Sequence, residues 1–131
     1  MKKQKGATWV DRTLFMSPVY IGLCTTEAQF RKELKRLNIP QSECPDWIPK
    51  SDMDAAVWHF IDDKREEKCA IVCVRKHKDT TNAEVFGMLA HEAVHVWQEI
   101  KLCIGEKEPS SEFEAYSIQS ITQRLIEAYL K

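Results

Sequence analysis

No apolar run in this sequence approaches the roughly 20 residues that a helix needs to cross a bilayer; the stretches around Val19 and Ile71 are far shorter. Met1 leads into KKQKGATW rather than into an apolar signal segment. There is no CxxC pair either. Cys24, Cys44, Cys69, Cys73 and Cys103 form an odd set of five, which argues against a disulfide framework and for reduced thiols in a cytoplasmic setting. An excess of one charge is also missing: 19 Lys and Arg are interspersed with 20 Asp and Glu, a net charge of −1. No broad basic face is signalled for nucleic acid, and no acidic tail for solvation. Nothing points to a membrane partner, and the oligomeric state is left open. At 131 residues the chain is the size of one domain, 1–131, with the polar, lysine-rich Met1 to Gly6 expected to be disordered.

What the chain does have is His91-Glu92-Ala93-Val94-His95, an HExxH motif. A helix turns about 100° per residue, so His91 and His95 point roughly the same way, one turn apart, and can share one metal ion. In HExxH sites the two histidines bind zinc, and the glutamate, which is not a ligand, takes the proton from the activated water. Imidazole suits Zn²⁺, and the ion lowers the pKa of its water to about 7, within reach of a nearby carboxylate at neutral pH. The five letters alone also fit two surface histidines on an ordinary amphipathic helix.

The rest of the chain reads as an α+β domain. The run from Leu14 to Cys24 is apolar and β-favouring but broken by Pro18, so a strand is expected over Val19 to Cys24. Thr25 or Thr26 caps a helix in which Phe30, Leu34 and Leu37 repeat at helical spacing; Arg31, Lys32, Lys35 and Arg36 form its solvated face, and Pro40 stops it. Pro40 to Asp52, with three prolines, is an irregular connection that Trp47 tacks down and that can line a cleft. Ala55 to Ile61 and Cys69 to Arg75 flank the charged turn DDKREEK and read as an antiparallel hairpin. His59 and His77 have no partner at ligand spacing and read as structural or surface residues. Cys69 and Cys73 share a strand face and read as small buried residues.

Thr81 or Asn82 caps the HExxH helix, whose Phe86, Leu89, Ala90, Ala93, Trp97 and Ile100 form one core stripe. His91 and His95 project roughly opposite that stripe, with Met88 and Gln98, and need a second wall if they are not to be exposed. Gly105 ends this helix. The last segment, SSEFEAYSIQSITQRLIEAYLK, is a helix expected to supply that wall, with Ala115, Ile118, Ile121, Leu125 and Tyr129 as its apolar stripe and Glu112, Tyr116 and Gln119 as a polar one. A catalytic zinc needs a third protein donor, and Glu112 is placed to supply it. Glu114 has another duty, since Ser111-x-x-Glu114 reads as a capping box. It also projects nearer the apolar stripe, so it stays open as the alternative ligand.

An HExxH helix followed closely by a helix reading ExxA, here Glu112-Phe113-Glu114-Ala115, resembles the gluzincin metallopeptidases. The resemblance covers His91 to about Gln123, and the strand CAIVCVR ahead of the helix is similar to the zincin order of sheet edge then metal helix. The HEAVHVWQ and EFEAYSIQ stretches are also similar to small proteins carried by phages and prophages, including repressor-clearing peptidases of mobile elements. The resemblance implies a minimal zincin-like domain, with a small antiparallel sheet packed on the active-site helix and a C-terminal helix. It implies Zn²⁺ held by His91, His95 and Glu112, with Glu92 as general base. Tyr116, on the stripe of Glu112, would steady an oxyanion. Many larger members carry an aspartate four residues after the ligand glutamate, where this chain has Tyr116, and they have a further domain. The implied activity is zinc-dependent hydrolysis of a protein or peptide substrate. The competing readings are a non-catalytic zinc module that docks on a partner protein, and a metal-free α+β interaction domain.

Overall fold

The computed structural model of the chain describes residues 5–10, 17–50 and 52–131. Its sheet begins with β1 (Thr8–Trp9), a short strand that the sequence did not announce, and β2 (Val19–Cys24), which has the expected bounds. Of the Met1 to Gly6 segment, residues 1–4 lie outside the described residues, as do Leu14 to Met16 of the apolar run ahead of β2. Lys5 and Gly6 lead into Ala7, whose amide donates to Glu33 Oε1 at 3.2 Å.

Helix α1 (Glu27–Arg36) starts at Thr26, whose hydroxyl accepts from the Gln29 amide while the Gln29 side chain reaches back, a reciprocal cap of about 1 kcal/mol. After a 3-10 turn at Gln41–Glu43 comes the irregular connection, held by Trp58 Nε1 donating to the Trp47 carbonyl at 3.1 Å and by buried Ile48. Strands β3 (Ala55–Asp62) and β4 (Glu67–Val74) form the expected antiparallel hairpin, Ala55 opposite Val74 and Asp62 opposite Glu67. The turn between them places Glu66 in the left-handed region at φ 54°.

The expectation of an antiparallel sheet is corrected by the pairing of β2 with β4. These two run parallel, from Val19 opposite Lys68 to Cys24 opposite Cys73, and the strand order is β1-β2-β4-β3. The sheet is therefore mixed. The physical cause is in the side chains: β4 is buried continuously from Cys69 to Val74, as a strand covered on both faces must be. Helix α1 covers one face through Phe30, Leu34 and Leu37, packed with Cys24, Cys69, Ile71 and Cys73. The other face, with Val19, Ile21, Leu23, Ala70, Val72 and Val74, is covered by α2 (Asn82–Cys103) and α3 (Ser111–Leu130).

Helix α2 is capped by Thr81 and Glu84 and ends at Gly105, whose φ of 74° suits the helix exit. Its buried side is Val85, Leu89, Glu92, Ala93, Val96, Trp97 and Ile100. Phe86 and Ala90, expected in the core stripe, are half-buried, Phe86 packing against the core beside Tyr129 of α3. Helix α3 is capped by Ser110, whose hydroxyl accepts from the Phe113 amide at 3.2 Å, so the capping box expected at Ser111 and Glu114 does not form. Of its predicted stripe, Ile121 and Leu125 are buried and Ile118 and Tyr129 pack against the core, while Ala115 is exposed; Ser117 and Ala128 complete the buried side.

Candidate metal centre

Strand alternation and the helical repeat together decide what meets at the HExxH motif. On β3, Ala55, Val57 and His59 alternate onto the face that α2 covers, since Ala55 and Val57 belong to that side's core. On α2, His91 and His95 fall on the flank that looks along this strand. The two imidazole centroids are 5.0 Å apart, with the rings at 72°. Zinc bound by two ring nitrogens at about 2.1 Å, with tetrahedral angles, would place the ring centres about 5 Å apart, so the pair fits one ion. His95 Nδ1 lies 2.9 Å from Gln98 Oε1. An Nδ1–H donated to that oxygen leaves Nε2 with its lone pair for a metal.

Glu92 is buried, only 5% exposed, beneath the same turn. Burial raises its carboxyl above the usual range, while the nearby His91 and His95 pull the other way. Glu92 and His91 line one cavity of about 540 Å³, with Met53, Asp54, Ala55 and Met88. His95 lines a second, of about 470 Å³, with Val57, His59, Gln98 and Glu99. Both lie between α2 and β3. His59 titrates below its ordinary value, chiefly through desolvation, with Glu99 raising it and His95 lowering it. Asp54 is held below the usual carboxylate range by its bond to His77 Nε2 at 2.8 Å and, after that, by Arg75.

The residues predicted on α3 are not brought to this place. Trp97 stands two residues after His95, about 200° further round α2, and its Nε1 donates to Glu114 at 2.8 Å. Phe113 packs edge-on against Trp97 at 5.6 Å, and Phe86 meets Tyr129 at 6.2 Å. Helix α3 thus lies along the Trp97 flank, and neither cavity beside the histidines has an α3 residue in its wall. Glu112 and Tyr116 point to solvent, Tyr116 being 58% exposed. The second wall expected from α3 is absent, and His91 and His95 are exposed. Among the described residues no three His, Cys, Asp or Glu side chains already converge closely enough to hold an ion. Sequence reasoning set Gln98 beside the two histidines but missed Asp54 as a neighbour of the motif, and read His59 as structural or surface; the alternation of β3 carried the signal for His59.

No protein-family model matches the chain, and neither a curated protein nor a solved structure matches it. Among the described residues no helix is long and apolar enough to cross a membrane. The five cysteines are free, Cys24 and Cys73 among them although they face each other across β2 and β4.

Proposed function

We propose that the chain is a zinc-dependent hydrolase of peptide bonds, a minimal zincin-like domain in which His91 and His95 hold the ion and Glu92 is the general base. One observation carries the reading: an imidazole pair at zinc spacing and a buried carboxylate share one turn of α2, and the two cavities they line both lie against β3. When bound, zinc would supply Lewis acidity toward a carbonyl and an acidified water. Glu92 would take the proton of the attacking water and pass it to the leaving nitrogen. A peptide suits the site because β3 is an edge strand, with no partner on its outer side among the described residues, and an extended chain can add to such an edge by main-chain hydrogen bonds. The resemblance of the HExxH and ExxA stretches supports the same class. The free thiols support a cytoplasmic setting.

The test is metal analysis of protein purified without chelator, together with peptide-library cleavage by wild type and Glu92→Gln. About one zinc per chain, and cleavage that Glu92→Gln abolishes while keeping the metal, is the expected result. Metal-free protein that is folded ends the reading. Zinc without Glu92-dependent cleavage favours the non-catalytic zinc module instead.

A further inference from the structure

Two imidazoles do not complete a catalytic zinc site, which uses three protein ligands and an open position. Glu112, expected to be the third, is exposed on α3 and lines neither cavity beside the histidines. Four other side chains with ligating atoms line the two cavities: Asp54 and Glu84 beside His91, and His59 and Glu99 beside His95. Three of these are engaged. Asp54 Oδ1 accepts from Arg75 Nε at 3.2 Å and pairs with His77 at 2.8 Å. Glu84 Oε1 closes the cap of α2, accepting from the Thr81 amide at 3.2 Å and its hydroxyl at 3.0 Å. Glu99 faces Lys68 Nζ at 3.9 Å and Cys103 Sγ at 4.0 Å. His59 alone of the four has no hydrogen bond or ion pair among the described residues.

We propose that His59, on edge strand β3, is the third protein ligand, so that zinc joins β3 to α2 through three imidazoles. This rests on the zinc reading of His91 and His95 above. His59 shares a cavity wall with His95 and projects from β3 toward α2. Its side chain is exposed, so it has room to turn between staggered rotamers toward an ion. Three neutral donors leave the ion's double charge undiminished by any ligand, the donor set that most strongly acidifies a bound water. The metal would also tie an edge strand to a helix, so its binding would stiffen the site in which a peptide must lie.

The test is zinc affinity, measured by competition with a chromophoric chelator on the purified chain, for wild type, His95→Ala, His59→Ala, His59→Gln and Glu112→Gln. The expected result is that both His59 variants lose more than the roughly 10–100-fold that removal of an outer-shell partner produces, while Glu112→Gln keeps wild-type affinity. Nitrogen NMR of the imidazoles should show His59, His91 and His95 all shifting when zinc is added. The metal-free variants should unfold at the wild-type temperature, because His59 is exposed. If His95→Ala loses zinc but neither His59 variant does, or if Glu112→Gln loses it, this inference is overturned and the zinc reading stands. If wild type binds no zinc, both go.

Discussion

Trp97 donates its indole N–H to Glu114 at 2.8 Å, and through this bond the first turn of α3 is held to the flank of α2 that faces away from His95. Lys101 Nζ stands 3.9 Å from the same carboxylate. Glu114 is thereby a packing residue between helices, whereas Glu112, two positions earlier, turns to water.

The two glutamates should therefore separate in stability measurements. A hydrogen bond to a charged group contributes about 1.5–3 kcal/mol, but the Glu114 side chain is 39% exposed, so Glu114→Ala should cost only about 1 kcal/mol. Glu112→Ala should stay within about 0.5 kcal/mol of wild type. Urea midpoints of the two variants check this, and equal midpoints would mean that the indole bond does not hold α3.

Thiol chemistry should divide the cysteines by burial. Desolvation pushes Cys24 up to about 12 and Cys69 up to about 11, and moves Cys73 upward as well. Only thiolates react, so at pH 8 Cys44 and Cys103, which are partly exposed, should alkylate quickly while the other three wait for unfolding. The linkage has a definite sign. From pH 9, the ordinary thiol value, toward 11, unfolded thiols lose protons that the folded ones keep, so stability should fall as pH rises through that window. Mass spectrometry of pulse-labelled protein that finds all five reacting together would contradict the buried placement.

Gly6 meets the carboxylate of Glu33 so closely that a Cβ there would collide with Oε1. That oxygen cannot move away freely, since it accepts from the Ala7 amide while Oε2 is bonded to Arg36 Nε at 2.8 Å. Gly6→Ala should cost about 1–2 kcal/mol and loosen β1 from β2. Amide exchange at Val10, which donates to the Ile21 carbonyl at 3.0 Å, should speed up while β4 amides are unchanged. Unaltered exchange at Val10 would show that β1 does not depend on this contact.

Local signals were legible in the sequence wherever one side chain and a neighbouring amide settle the matter. Thr26, Thr81, Gly105 and the hairpin turn all act within four residues, so their roles show in the spelling. The parallel pairing of β2 with β4 does not, because it depends on α1 carrying the chain across one face of the sheet before β3 turns back. Nor does the side on which α3 docks. An apolar stripe can pack on either flank of α2, and the choice is made by Trp97, Phe86 and Glu114, whose spacing along the chain says nothing about flank. His91, Glu92 and His95 were legible as a constellation because one helical turn contains them. Whether an α3 side chain reaches them was not, since that depends on the same undetermined docking.

Gln98 offers a sharper test of how the imidazole pair is prepared for a metal. Its Oε1 lies 2.9 Å from His95 Nδ1, and a carbonyl oxygen can only accept, so the proton of the neutral ring is fixed on Nδ1 and the lone pair on Nε2. Without that partner the ring would be free to rotate and to exchange tautomers, and part of its population would present an N–H to the ion. Gln98→Ala should therefore weaken zinc binding about 10–100-fold. Because Gln98 is exposed, metal-free stability should change by no more than about 0.5 kcal/mol. Gln98→Glu offers an acceptor at the same reach, one that is charged and makes the ring a stronger donor, so it should bind zinc at least as well as wild type. Isothermal titration of the three proteins with zinc, alongside thermal unfolding without it, separates these effects. Equal zinc affinity in Gln98→Ala and wild type would mean that the bond to His95 orients nothing, and that the ring finds the ion unaided.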